Sequence, residues 1–112
     1  MKAVALATQV RVQQAEMKRL IADGTLAPYT VLAGHSDEWE PWARRARIRQ
    51  VLLAVPGLGP ATVQEVLDRL GATTTTRLGA LTWQGRKELA DLVASLTGTI
   101  PVADLVRDAD AS

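Results

Sequence analysis

The 112-residue chain has no cysteine. That excludes disulfides, thiol nucleophiles and thiolate metal ligands, and it fits a reducing compartment. Phenylalanine is also absent and there is one tyrosine, so the core must come from Leu, Val, Ile and Ala with help from the three tryptophans. The one histidine, His35, falls in a polar connector without partners at metal-ligand spacing, which reads as a solvated side chain. No apolar run approaches the roughly 20 residues of a membrane span. The mildly apolar start, residues 1–7, is too short for a signal h-region with a cleavage site. The expectation is a cytoplasmic protein with neither membrane nor cofactor.

What is present is ordinary for a globular domain: 47% hydrophobic and 22% charged residues, in a length that suits one domain with a modest core. The net charge of +1 conceals an asymmetry. Residues 104–112 hold three Asp and one Arg, a net −2, so the rest of the chain carries +3. Residues 41–64 hold four Arg (Arg44, Arg45, Arg47 and Arg49) and no acid, while Asp37, Glu38 and Glu40 lie just before them. A local positive field attracts a polyanion. The same four residues also suit the solvated face of a helix, and the charge pattern alone leaves both readings open.

Apolar spacing predicts helices throughout and no strand. A first helix is expected over about residues 9–22, capped by Thr8, with Val10, Met17, Leu20 and Ile21 inward and a stop at Asp23-Gly24. A short helix follows over 26–32, entered through Thr25 and closed at Gly34. Pro41 suits the first turn of a further helix running to about Ala54, with Ile48, Val51, Leu52 and Val55 on its apolar stripe. On that helix Arg45 and Arg49 fall on one flank, Arg44 and Arg47 on the other. Pro60 opens the next helix, with Val63, Val66, Leu67 and Leu70 inward and Gly71 at its end. Four threonines, residues 73–76, lead to a turn at 77–81. Thr82 caps a last helix over about 83–96, with Leu89, Leu92, Val93 and Leu96 inward. The acidic tail, 104–112, reads as a flexible, solubilising end, and Val102, Leu105 and Val106 have the spacing to dock as one amphipathic turn.

The informative stretch is Val55-Pro56-Gly57-Leu58-Gly59, set between an apolar helix end and a new helix. It resembles the helix-hairpin-helix motif of DNA-binding proteins. Two glycines allow a tight turn with no side chain between backbone and ligand. The amides of the turn and of the next helix's first turn lack internal partners and meet the positive end of the helix dipole. A phosphate is a natural occupant. Leu58 is placed to pack between the two helices. The competing reading is a plain corner in a small bundle. Pro60 removes one amide donor, which leaves Gly57, Gly59 and Thr62 to supply the contacts.

The likeness extends beyond the motif. From about residue 16 to 96 the chain is similar to the actinobacterial integration host factor family. The similarity lies in Glu16-Met17-Lys18 with Gly24, in Ser36-Asp37-Glu38, in the basic stretch running into Val51-Leu52 and the hairpin, and in Arg77-Leu78 followed by Leu81 and Arg86-Lys87. The resemblance implies an all-α fold, with a long N-terminal helix packed on a helix-two-turn-helix body containing the helix-hairpin-helix. It implies one DNA-binding domain over residues 1–103, with its body at about 25–97. By position it implies DNA-binding roles for Arg45 and Arg47, for the hairpin glycines, and for a second basic cluster of Arg77, Arg86 and Lys87. It also implies a nucleoid-associated monomer that binds double-stranded DNA with little sequence preference and supports integrative DNA recombination, with an integrase–DNA complex as a further partner. Thr76 and Gly79 stand where the family usually has Arg, the connector holding Trp39 and Trp42 is about two residues longer, and the acidic tail is extra. These departures fit a divergent relative, host or phage-encoded, in which Arg44 and Arg49 compensate.

Three or four phosphate contacts predict a slope of about −3 to −4 in log affinity against log salt. Backbone contacts read no sequence, so weak preference is expected, biased towards deformable DNA. Trp39 and Trp42 suit either a wedge into DNA or a cover for the core. An enzyme needs a catalytic Asp or Lys, or a metal cluster of acids, near the hairpin; the nearest acids, Glu65 and Asp68, are expected on its exposed side. An RNA-binding or protein-interaction module is the alternative function.

Overall fold

A computed structural model describes residues 2–98, with side chains from Leu6 onward. The expected tail at 104–112, and the docking of Val102, Leu105 and Val106, lie outside the described residues. Within them the chain is all-helical: α1 (Lys2–Ala22), α2 (Pro28–Ala33), α3 (Glu40–Ala43), α4 (Ile48–Ala54), α5 (Pro60–Leu70), a 3-10 turn (Leu78–Ala80) and α6 (Trp83–Thr97). The all-α expectation is met, as a long N-terminal helix packed on a smaller helical body.

Helix α1 starts earlier than the sequence reading placed it. Thr8 is an exposed interior residue and not a cap, because the residues before it, mostly Ala and Leu with one Lys, are good helix formers and nothing interrupts them. Only the C-terminal part of α1 enters the core, through Met17 and Ile21, and it packs on α3 and α4. Asp23 closes it by accepting the Thr25 amide at 2.9 Å. Helix α2 begins at Pro28, with Ala27 extended before it, and therefore two residues later than expected. It packs on α6. Thr82 does cap α6, its hydroxyl accepting the Gly85 amide at 3.0 Å. Leu96, expected inward, is instead 47% exposed at the outer end of α6.

The largest departure is in the basic stretch. The expected continuous helix over 41–54 is two short helices separated by residues 44–47. No Gly or Pro marks the break; tertiary hydrogen bonds make it. The Arg44 carbonyl accepts the Gly79 amide at 2.8 Å, the Ala46 carbonyl accepts the Leu78 amide at 2.9 Å, and the Ile48 amide donates to the Thr76 carbonyl at 3.0 Å. Arg47 is extended and forms an isolated antiparallel bridge with Arg77. These bonds replace the helical ones that the segment gives up, while Ala43, Ala46 and Ile48 become buried. Three of the four threonines hold the other side of the bridge in place. The Thr73 amide donates to Thr76 Oγ1 at 2.9 Å and the Thr75 amide to Thr73 Oγ1 at 3.3 Å.

Candidate nucleic-acid interface

Interrupting the helix changes where its arginines go. Three of the four, Arg44, Arg45 and Arg47, leave the helical scaffold, and only Arg49 stays on one, in α4. The flank assignment drawn from a continuous helix therefore does not hold. In its place, the Arg47–Arg77 bridge joins the first basic cluster to the second. Paired residues of a bridge project to the same side. Arg45 and Arg77 also line one groove of about 390 Å³, whose other wall is α1 at Leu6, Ala7, Val10 and Gln14. Gly79 sets how closely the segments approach: a Cβ built there lies 2.8 Å from the Arg44 carbonyl oxygen. Glycine at 79, where the resemblance leads one to expect arginine, is thus a requirement of the bridge.

Arg44, Arg45, Arg47 and Arg77 are exposed and Arg49 is half-buried, and none of the five forms an ion pair among the described residues. Arg11, Lys18 and Arg69 likewise form no ion pair among the described residues, whereas other cations are engaged. Arg19 pairs with Glu16 and Asp23, at 2.6 and 3.3 Å. Lys87, on the exposed side of α6, pairs with Asp91 at 2.9 Å.

Arg86 corrects the expected second cluster. It is 3% exposed and its guanidinium makes four hydrogen bonds. It forms a bidentate pair with Glu40 and donates to the Leu32 and Val31 carbonyls, each at 3.0 Å. Those carbonyls lie at the end of α2, where a cation also meets the negative end of the helix dipole. Arg86 is a clamp between α2, α3 and α6. Four of its five N–H donors are taken and the group is buried, so only Arg77 of the second cluster joins the arginines of the 44–47 segment.

The hairpin lies at the other end of α4, a separation of roughly 10 Å at 1.5 Å per residue. Val55, extended, ends the helix, and the Leu58 amide donates to the Val55 carbonyl at 3.2 Å. Leu58 is buried between α4 and α5 as expected. Gly57 has φ +91°, a left-handed conformation that a side chain strains. Gly59 has φ −87°, which any residue adopts, and a Cβ there meets nothing within 4 Å. Nothing among the described residues requires Gly59; its bare surface leaves the backbone open to an outside group. The amides of Gly57, Gly59, Ala61 and Thr62 find no acceptor in the hydrogen-bond network of the described residues, while the Val63 amide is taken by the Gly59 carbonyl at 3.0 Å. Thr62 is half-buried in the first turn of α5.

Glu65 and Asp68 are exposed, as expected, and Asp68 accepts the Gln64 amide at 2.9 Å. No group of three or more His, Cys, Asp or Glu that could hold a metal ion occurs among the described residues. Trp39 packs against the core, which favours the covering role over the wedge. His35 is exposed and meets Tyr29 edge-on, with ring centroids 6.2 Å apart. The exposed tryptophan is instead Trp83, 65% exposed at the start of α6, which helical periodicity alone did not single out.

The fold is similar to that in the structure of sIHF bound to an 8bp palindromic DNA. The two superpose with a TM-score of 0.61 at 18% sequence identity, over 87% of this chain and 99% of that one. No family model and no curated protein matches the chain.

Proposed function

We propose that this chain is a non-catalytic protein that binds duplex DNA through its phosphate backbone, with little sequence preference. The observation that carries this is the Arg47–Arg77 bridge, which gathers exposed arginines without acidic partners among the described residues, joined through α4 to a turn whose amides are unpaired among those residues. Arg45, Arg47 and Arg77 form the centre of the surface, with Arg44 and Arg49 at its margins. Gly57, Gly59 and Thr62 offer donors to a second phosphate, at a distance comparable with the width of a DNA groove. Leu58 holds that turn in shape. Lys87 has a weaker claim, since it must first leave Asp91. The structurally similar sIHF was solved with DNA bound, and the fold accommodates such a partner there.

So read, the arginines and the turn amides contact phosphates, and such contacts position the protein without specifying sequence. On this reading the protein is nucleoid-associated and cytoplasmic, acts as a monomer, and supports integrative recombination by presenting DNA to an integrase complex. Gel-shift titration on a mixed-sequence duplex at two salt concentrations tests the reading. Binding at low salt that weakens steeply with salt is expected. No shift at low salt contradicts it and leaves an RNA-binding or protein-interaction module.

A further inference from the structure

Trp83 stands in the first turn of α6, 65% exposed, yet its ring is held from behind. The indole packs so closely on Gly34 that a Cβ built there falls 2.3 Å from Trp83 Cζ3. The Arg86 guanidinium lies 5.0 Å from the ring centroid, and Arg86 is itself locked by Glu40 and two carbonyls. The cation on one side supports the ring without solvent-side bulk. A large, rigid, amphipathic surface is thereby presented to solvent, whereas a tryptophan with no such role usually buries its apolar area.

The surroundings connect this ring to the arginine surface. A cleft of about 300 Å³ is lined by Arg44, Gly79, Leu81, Thr82, Trp83 and the Glu40–Arg86 pair. Arg44 and Gly79 are also the partners in the hydrogen bond that clamps the 44–47 segment against the 3-10 turn. The one carboxylate among the described residues of the cleft, Glu40, has both oxygens on Arg86, so its charge is neutralised there. Trp83 also lines a second groove, with Gly34, His35 and Lys87.

We propose that Trp83 is a stacking platform for an unpaired DNA base, with Arg44 holding the adjacent phosphate. The inference rests on the DNA-binding reading and extends it: the protein favours duplexes with a gap or an unpaired nucleotide over perfect ones. Charge complementarity selects nucleic acid as the occupant, since the free charge of the cleft is Arg44. Base–aromatic stacking is tolerant of base identity, which agrees with a surface that reads no sequence.

The test compares affinity for a perfect duplex and for the same duplex carrying one unpaired nucleotide, at equal salt, with tryptophan emission followed in both titrations. The Trp83 part of that emission is taken as the difference from Trp83→Ala, which keeps Trp39 and Trp42. The wild-type protein is expected to bind the second DNA about five- to tenfold more tightly, with quenching of the exposed tryptophan. Trp83→Ala is expected to lose that preference while keeping its affinity for the perfect duplex within about twofold, and Trp83→Phe to keep part of it. Thermal unfolding of both variants checks that α6 still packs. Equal wild-type affinity for the two DNAs, or a preference that survives in Trp83→Ala, overturns the platform and leaves the indole to a protein partner. Failure to bind either DNA overturns the DNA-binding reading with it.

Discussion

Two arginine regions flank the 79–85 segment and use the same side chain in opposite ways. On one side Arg86 is buried, bonded to Glu40 and to two carbonyls at the end of α2. On the other, Arg77 is exposed beside Arg47 and Arg45 and pairs with no acid among the described residues. The fold supplies partners to the first and withholds them from the second. A guanidinium inside needs every donor satisfied; one outside and unpaired keeps its donors for a polyanion. Membership in a basic stretch of sequence thus does not make a residue part of a basic surface.

Removing the buried arginine is expected to have the largest effect. Arg86→Ala leaves Glu40 without its cation and the Leu32 carbonyl unsatisfied, while the Val31 carbonyl keeps the Gly34 amide, a loss of about 3–5 kcal/mol in chemical denaturation. The fraction that remains folded should still bind DNA. A stable variant with lost DNA affinity would return Arg86 to the interface and erase the contrast. Next in size is Gly79→Ala, whose new Cβ meets the Arg44 carbonyl oxygen at 2.8 Å. A loss of about 1–3 kcal/mol is expected. DNA affinity should fall as well, because the displaced segment carries Arg77.

The hairpin glycines sharpen the comparison within one turn. Gly57→Ala strains a left-handed residue and should cost about 1–2 kcal/mol. Gly59→Ala, in an ordinary conformation facing open space, should change stability by less than about 0.5 kcal/mol. Only DNA affinity should report the second change, by a methyl group set between amide and phosphate. The smallest effect concerns the engaged cation Arg19. Its hydrogen bond holds the Glu16 carboxyl below the usual carboxylate range, and hydrogen bonds from the Thr25 hydroxyl and amide lower that of Asp23. Both carboxyls are charged more readily in the folded chain, so their contribution is present above the ordinary carboxylate pKa of about 4. It is lost as pH falls through the lowered folded values. Carbon-detected NMR titration should place both midpoints below the ordinary values, with the shifts shrinking in high salt.

Much of the helical fold could be read from periodicity. Met17, Ile21, Ile48, Val51, Leu52, Val63, Val66, Leu67, Leu89 and Val93 are all buried where the spacing put them. Gly34, Gly71 and Thr82 mark helix ends as expected. The break at 44–47 was not legible, because it is made by carbonyls of Arg44 and Ala46 bonding a segment far along the chain, and side-chain pattern does not encode that. The same blindness misassigned Arg86: the sequence shows a charge next to Lys87, while its partner Glu40 lies on another helix. Gly79 looked like a lost arginine and is a point of close approach. Trp83 was hidden because position in a helix says little about which aromatic stays outside.

The central claim is that the side chains of Arg45 and of Arg47, whose backbone is bridged to Arg77, grip DNA phosphates and do nothing for the fold. Duplex affinity measured across a salt series, for the wild type and for Arg45→Glu with Arg47→Glu, tests it most directly. The wild type should give a log–log slope of about −3 to −4, and the variant a slope shallower by about 2. Unfolding stability should stay within about 0.5 kcal/mol. Equal affinity and equal slopes in a variant that folds normally would contradict the account.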